Sequence, residues 1–112
     1  MEARPREVTL YKTKEGHAPY KEWFDGLTDK KTRAAIDARL IRVRQGNLGD
    51  CESVGEGVFE LRIDYGPGYR VYLGQDGQTI VVLLNGGDKS TQAADIQKAK
   101  ECWKDYKERN KP

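Results

Sequence analysis

Residues 58–92, VFELRIDYGPGYRVYLGQDGQTIVVLLNGGDKSTQ, decide the fold. Phe59, Leu61, Ile63 and Tyr65 alternate with Glu60, Arg62 and Asp64, and successive side chains of a strand point to opposite faces. After Gly66-Pro67-Gly68 the alternation resumes, Tyr69, Val71 and Leu73 against Arg70 and Tyr72. Asp76-Gly77 is a two-residue hairpin signal, and a third strand, Ile80-Val81-Val82-Leu83-Leu84, follows it. The stretch therefore predicts a three-strand antiparallel meander that leaves at Asn85 through Gly86-Gly87-Asp88-Lys89 into a helix near Ser90.

Register follows from keeping like faces together, because a one-residue slip moves every side chain to the other face. A three-residue Gly-Pro-Gly loop pairs Tyr65 with Tyr69, Ile63 with Val71 and Leu61 with Leu73. It sets Asp64 opposite Arg70 and Arg62 opposite Tyr72. The Asp76-Gly77 turn pairs Gln75 with Gln78, Leu73 with Ile80 and Val71 with Val82, leaving Val81 and Leu83 beside Tyr72 and Arg70. The third strand is apolar on both sides, so it is expected to be central or covered. Arg62, Arg70, Tyr72 and Lys89 then converge on one concave face. Several cations on one face are stabilised by an anion, and the planar fork of arginine matches phosphate oxygens.

Working outward, Glu7 to Lys12 alternates around Val8 and Leu10 and reads as a first strand. Pro19 suits a first helical turn, and Tyr20, Trp23, Phe24 and Leu27 form one face of a short helix over Pro19 to Leu27. Thr28 is the expected N-cap of a second helix, Asp29 to Gln45, with Ile36, Leu40 and Val43 as its apolar stripe and Gly46-Asn47 as its stop. The short connection predicts a helical hairpin. Leu48 to Gly57 is glycine-rich without periodicity and reads as a connection. Near the end of the chain, Ile96, Ala99, Trp103 and Tyr106 share one helical face, and the tail ERNKP is polar and expected to fray. The resulting order is β-α-α-β-β-β-α, an α+β domain covering 1–112.

Composition removes several classes of function. Hydrophobic residues at 37% and charged residues at 34% describe one globular domain with a crowded charged surface. The longest apolar run is too short to span a bilayer. MEARPREV has no apolar stretch behind its charges, unlike a signal peptide, so a cytoplasmic chain with no membrane partner is expected. Cys51 and Cys102 are isolated, and the one histidine, His17, offers no obvious zinc site. No cofactor is expected. Gly87-Asp88-Lys89-Ser90 lacks the glycine loop of a phosphate-binding P-loop, and His17 is far from Ser90 for a Ser–His–Asp hydrolase. The net charge of +2 is small, but Lys30, Lys31, Arg33, Arg39, Arg42 and Arg44 crowd one helix. Such a run is a solvated face or a footprint for a phosphate backbone or an acidic protein.

The element order, with ELRIDYGPGYRVYL, LLNGGDKSTQAADIQKA, WFDGL and the lead-in GNLGDCESVGEGVFELR, resembles the RelE/ParE-family toxins over nearly the whole chain, and more narrowly the HigB-like killer branch. The resemblance implies a RelE-like fold and a small toxin held by a cognate antitoxin, a small helix-turn-helix protein encoded beside it. Many such toxins enter the ribosome and cut mRNA through attack of the ribose 2′-hydroxyl, without metal. By resemblance Arg62 and Arg70 match phosphate-binding strand positions. Asp88 and Lys89 stand where relatives often place a catalytic histidine or tyrosine, which leaves Tyr72 or Glu60 to assist proton transfer. Lys30, Lys31, Arg39, Arg42 and Arg44 are the expected RNA-binding cations. The same scaffold also serves ParE-like inhibitors of DNA gyrase without nuclease activity, and a non-catalytic, antitoxin-binding regulatory protein is the third alternative.

Overall fold

A computed structural model describes residues 5–111. The start of MEARPREV and the last residue of ERNKP lie outside them. The elements are β1 (Glu7–Leu10), α1 (Pro19–Asp25), α2 (Lys30–Arg44), β2 (Cys51–Gly55), β3 (Val58–Ile63), β4 (Tyr69–Asp76), β5 (Ile80–Gly87), a 3-10 turn (Lys89–Thr91) and α3 (Gln92–Arg109). They build a mixed α+β fold around a five-stranded sheet in the order β1-β5-β4-β3-β2. β1 runs parallel to β5, and the other neighbours are antiparallel. Among the described residues, no helix is long and apolar enough to cross a membrane.

β2 replaces part of the expected connection, so the meander has four strands. Only Cys51 and Val54 of CESVG are even partly buried, and the strand carries a bulge between Ser53 and Gly55. An edge strand that buries so little leaves no alternation to read. α2 is capped by Asp29 rather than Thr28: the Asp29 carboxylate accepts from the Thr32 amide at 3.3 Å and from the Thr32 hydroxyl at 2.8 Å.

Two hairpins differ from their expected registers. β3 pairs with β4 as Ile63 to Tyr69, Arg62 to Arg70, Leu61 to Val71 and Glu60 to Tyr72. The loop is therefore Asp64 to Gly68, with Gly66 at φ +57° and Gly68 at φ +81° supplying the left-handed turns. This is a slip of two, so every side chain keeps its face while its partner changes. The second hairpin pairs Asp76 with Ile80 and Leu73 with Leu83, a slip of three that inverts the faces of β5. Val81 and Leu83 join Val71 and Leu73, whereas Val82 and Leu84 join Tyr72. A bulge then resets the ladder, so that Tyr72 faces Asn85 and Arg70 faces Gly87.

Each sheet face has its own core. Tyr20 of α1 and Ile36, Leu40 and Val43 of α2 cover Leu61, Ile63, Val71, Leu73, Val81 and Leu83. Ala99, Cys102 and Trp103 of α3 cover Val58, Tyr72, Val82, Leu84 and Tyr11. Full burial of such a side chain stabilises by roughly 1.5–3 kcal/mol, and β5, apolar on both faces and flanked by β1 and β4, draws on both cores. The charged residues Glu60, Arg62 and Arg70 share the α3 face with Val58 and Tyr72, where the 3-10 turn ends and α3 begins.

Candidate functional site

The centre of the site is a buried carboxylate. Glu60 is 1% exposed, and its Oε2 accepts from the Tyr72 hydroxyl at 3.0 Å and from Gln92 Nε2 at 2.9 Å. Arg62 Nε donates to Oε1 at 3.1 Å. Arg70 Nε lies 3.5 Å from Oε2, an ion contact too poorly aligned for a hydrogen bond, so this buried nitrogen has no hydrogen-bond partner. Burial pushes the Glu60 carboxyl up, but the hydrogen bonds from Gln92 and Tyr72, the charge of Arg70 and the hydrogen bond from Arg62 outweigh it and hold the group below its ordinary value. Burial, followed by the adjoining Glu60 charge, pushes the Tyr72 phenol well up. Tyr72 therefore keeps its proton and donates a hydrogen bond to Glu60.

The two arginines meet solvent differently. Arg62 turns its outer nitrogens to β2 and the preceding loop, Nη1 to Asp50 Oδ1 at 3.3 Å and Nη2 to Glu52 Oε2 at 3.0 Å. Arg70 is more enclosed and donates Nη1 to the Gly68 carbonyl at 3.3 Å. Its ion partner is Glu60 rather than the expected Asp64, because the two-residue slip carries Asp64 into the loop. Lys89 is exposed, and among the described residues it makes no ion pair. Its aliphatic stem lies over Gly68, where a Cβ would stand 3.1 Å from Lys89 Cε. Asp88 caps the 3-10 turn, accepting from the Ser90 amide at 2.8 Å, and the Ser90 hydroxyl and amide hold its carboxyl below the usual value.

Arg62, Arg70 and Lys89 line one cavity of about 250 Å³ at the Gly-Pro-Gly end of the sheet, together with Tyr69, Asp50 and Asp64. The sequence-predicted cations thus come together. Tyr72 and Glu60 do not share that opening: Tyr72 is wholly buried beneath α3, and Glu60 is sealed behind the arginines. A face expected to be cationic is balanced by Glu60, Asp50 and Glu52. Gln92, Asp50 and Glu52 were not foreseen; the last two come with the unread edge strand and the loop before it.

The basic helix divides as well. Lys30, Lys31, Arg42 and Arg44 are exposed. Arg39 is 4% exposed and is not a solvent-facing contact. Its Nε donates to the Arg62 carbonyl at 3.2 Å, and Nη2 donates to the carbonyls of Leu48 and Asp50. The reason is its spacing: Arg39 is three residues after Ile36 and one before Leu40, on the buried stripe. His17 lies before α1, its Nδ1 3.0 Å from Glu22 Oε2. Among the described residues, no cluster of three or more His, Cys, Asp or Glu side chains is arranged to hold a metal. Burial raises both thiols, Cys51 and Cys102, above their ordinary values.

A family model described as phage derived protein Gp49-like (DUF891) matches residues 22–105, from within α1 to within α3. An uncharacterized protein of Haemophilus influenzae is 51% identical over 81 residues, which is 72% of this chain and 82% of that protein.

Proposed function

We propose that this chain, which belongs to the family of phage-derived Gp49-like proteins, is a toxin that cleaves translated mRNA on the ribosome. The Gp49-like family is RelE-like and is associated with the toxins of toxin–antitoxin modules. Within it, this reading assigns the chain to a HigB-like, metal-independent endoribonuclease neutralised by an antitoxin. The observation that carries it is the cavity shared by Arg62, Arg70 and Lys89, an arginine pair in contact with Glu60 and an exposed lysine beside it.

The chemistry requires charge placement more than a strong base. When the ribose 2′-hydroxyl gives its proton to water and attacks the adjacent phosphorus, and the 5′-oxygen leaves and takes a proton from water, negative charge grows on the phosphoryl oxygens. Preorganised cations stabilise that charge without reorganising. Arg70 and Lys89 take this part. Arg62, tied to Asp50, Glu52 and Glu60, keeps the strand ends in place. Glu60 and Tyr72 act through the arginines as positioning residues, since neither reaches the cavity. Alignment of the 2′-hydroxyl with the scissile bond falls to the ribosome, and orientation of this kind supplies a large share of a rate enhancement.

Charge balance favours one second reading. Glu60, Asp50 and Glu52 offset the arginines, as suits a surface that binds a protein such as DNA gyrase without cutting RNA. Mapping mRNA 5′ ends after induction, on translated and untranslated copies of one transcript, separates the two. In-frame cuts confined to the translated copy are expected. Gyrase trapped on broken DNA with uncut messages would replace the ribonuclease reading with the gyrase one.

A further inference from the structure

α2 holds six cations, Lys30, Lys31, Arg33, Arg39, Arg42 and Arg44, and one carboxylate, Asp37. Arg39 is turned inward and Arg33 is half-buried, so the outward charge is carried by Lys30, Lys31, Arg42 and Arg44. Down the middle of that outward face run Ala34, Ala38 and Ile41, all exposed. Spacings of four and three place them in one row. Ile41, 50% exposed, is the one large hydrophobic side chain left open among the described residues. Lys30, Lys31 and Arg42 border the row on its cationic sides, and the exposed Asp37, four residues before Ile41, borders it on the other. Beside it lies a groove of about 430 Å³, lined by Ala35, Ala38, Arg42 and Tyr65 and by Arg39, whose buried Nη1 has no hydrogen-bond partner.

We infer that this face of α2 and its groove are the docking surface for an acidic amphipathic segment of the partner antitoxin. Apolar side chains of that segment cover Ala34, Ala38 and Ile41, and its carboxylates meet Lys30, Lys31 and Arg42. The inference rests on the reading of the chain as a toxin held by an antitoxin. Three features select this occupant. Charge complementarity calls for an anionic partner and speeds its encounter. An apolar row within a predominantly basic border matches a protein segment, since a phosphate backbone has no use for Ile41. A second copy of the chain would set one strongly basic helix against another. The groove shares Ile63 and Asp64 with the cavity of Arg70 and Lys89, so a segment seated on α2 ends at the mouth of the candidate site.

The test uses the full chain co-expressed with the protein encoded beside its gene, in the wild type and in Ile41→Glu and Ala38→Glu. Both positions are exposed and glutamate favours helix, so both variants should melt with the wild type. The wild type should form a stable complex that restores growth and weakens with added salt. Each variant should arrest growth when expressed alone but bind the partner on the order of 100-fold more weakly, because a carboxylate then opposes an acidic segment. A wild-type complex that both variants match would overturn the docking surface and leave the toxin reading standing. No wild-type complex at all would overturn both. Loss of toxicity in the folded variants alone, or of RNA binding by them, would assign the face to the target and overturn the inference. So would a wild-type dimer abolished by Ile41→Glu.

Discussion

Arg62 on β3 and Arg70 on β4 are direct cross-strand partners, and the Glu60 carboxylate contacts both guanidinium groups. Like charges directly opposite one another destabilise a sheet, so this pair depends on the buried anion beside it. The site is organised around an internal carboxylate, and the arginines are fixed before any ligand arrives.

Removal of that carboxylate should be costly. Breaking a buried pair by deleting one member destabilises by roughly 3–5 kcal/mol, and Glu60→Ala also leaves the Tyr72 hydroxyl and Gln92 without their acceptor. Glu60→Gln, which keeps an acceptor oxygen, should lose less. Because the folded carboxyl sits below its ordinary value, its contribution is present above the unfolded pKa of about 4.3 and is lost as pH falls through the folded one. Urea unfolding from pH 7 down to pH 3 should show an acid-sensitive limb in the wild type that is flatter in Glu60→Gln. Equal acid sensitivity in the two proteins would mean that Glu60 does not carry this linkage.

Arg39 should behave as a core residue. Hydrogen bonds from a charged donor contribute about 1.5–3 kcal/mol each, and Arg39 supplies them to the carbonyls of Arg62, Leu48 and Asp50. Arg39→Met is expected to lose at least about 2 kcal/mol, whereas Arg44→Met, on the exposed side, should stay within about 0.5 kcal/mol of the wild type. Thermal melts of the two variants check this. Similar small losses in both would return Arg39 to the solvated face.

What could be read from residues alone follows from where periodicity survives. Ile36, Leu40 and Val43, and Ile96, Ala99, Trp103 and Tyr106, recur at helical spacing because each helix buries one stripe, and both stripes lie where expected. The convergence of Arg62, Arg70 and Lys89 was readable because strand parity survives a slip of two. The register of β5 was not: Ile80 to Leu84 is apolar on both faces, so neither hairpin length violates the pattern, and the three-residue loop Gly77-Gln78-Thr79 was free to invert it. β2 stayed hidden as an exposed edge, and with it the carboxylates that neutralise Arg62. Arg39 was readable by spacing, three residues after Ile36, but its charge suggested solvent.

Gly74 should tolerate no side chain. It faces α3, and a Cβ there would run into the six-membered ring of Trp103. Trp103 is buried and stacked on Tyr106 at 5.1 Å between centroids, so neither ring can move away freely. Overpacking of this kind costs typically about 1–3 kcal/mol. Gly74→Ala should lower the melting temperature while Gly77→Ala, whose Cβ meets nothing within 4 Å, shows only the strain of its turn. A Gly74→Ala protein as stable as the wild type would mean that α3 does not pack on β4 as described.

Lys89 separates charge from structure. It is exposed, makes no ion pair among the described residues, and lines the cavity with Arg70. Surface substitutions away from special features usually change stability by no more than about 0.5 kcal/mol, so Lys89→Met should melt with the wild type. If its ammonium stabilises charge on a phosphoryl group, the loss in cleavage of translated mRNA should be on the order of 100-fold or more. Lys89→Arg, which retains the charge but presents a broader planar head above Gly68, should keep part of the activity. The measurement is cleavage of one translated message by each purified variant with ribosomes, beside thermal unfolding of the same preparations. Parallel losses of stability and cleavage in Lys89→Met would make the residue a support for the 3-10 turn. Full activity in a stable Lys89→Met protein would remove it from the phosphate site and leave Arg70 as the remaining candidate for that role.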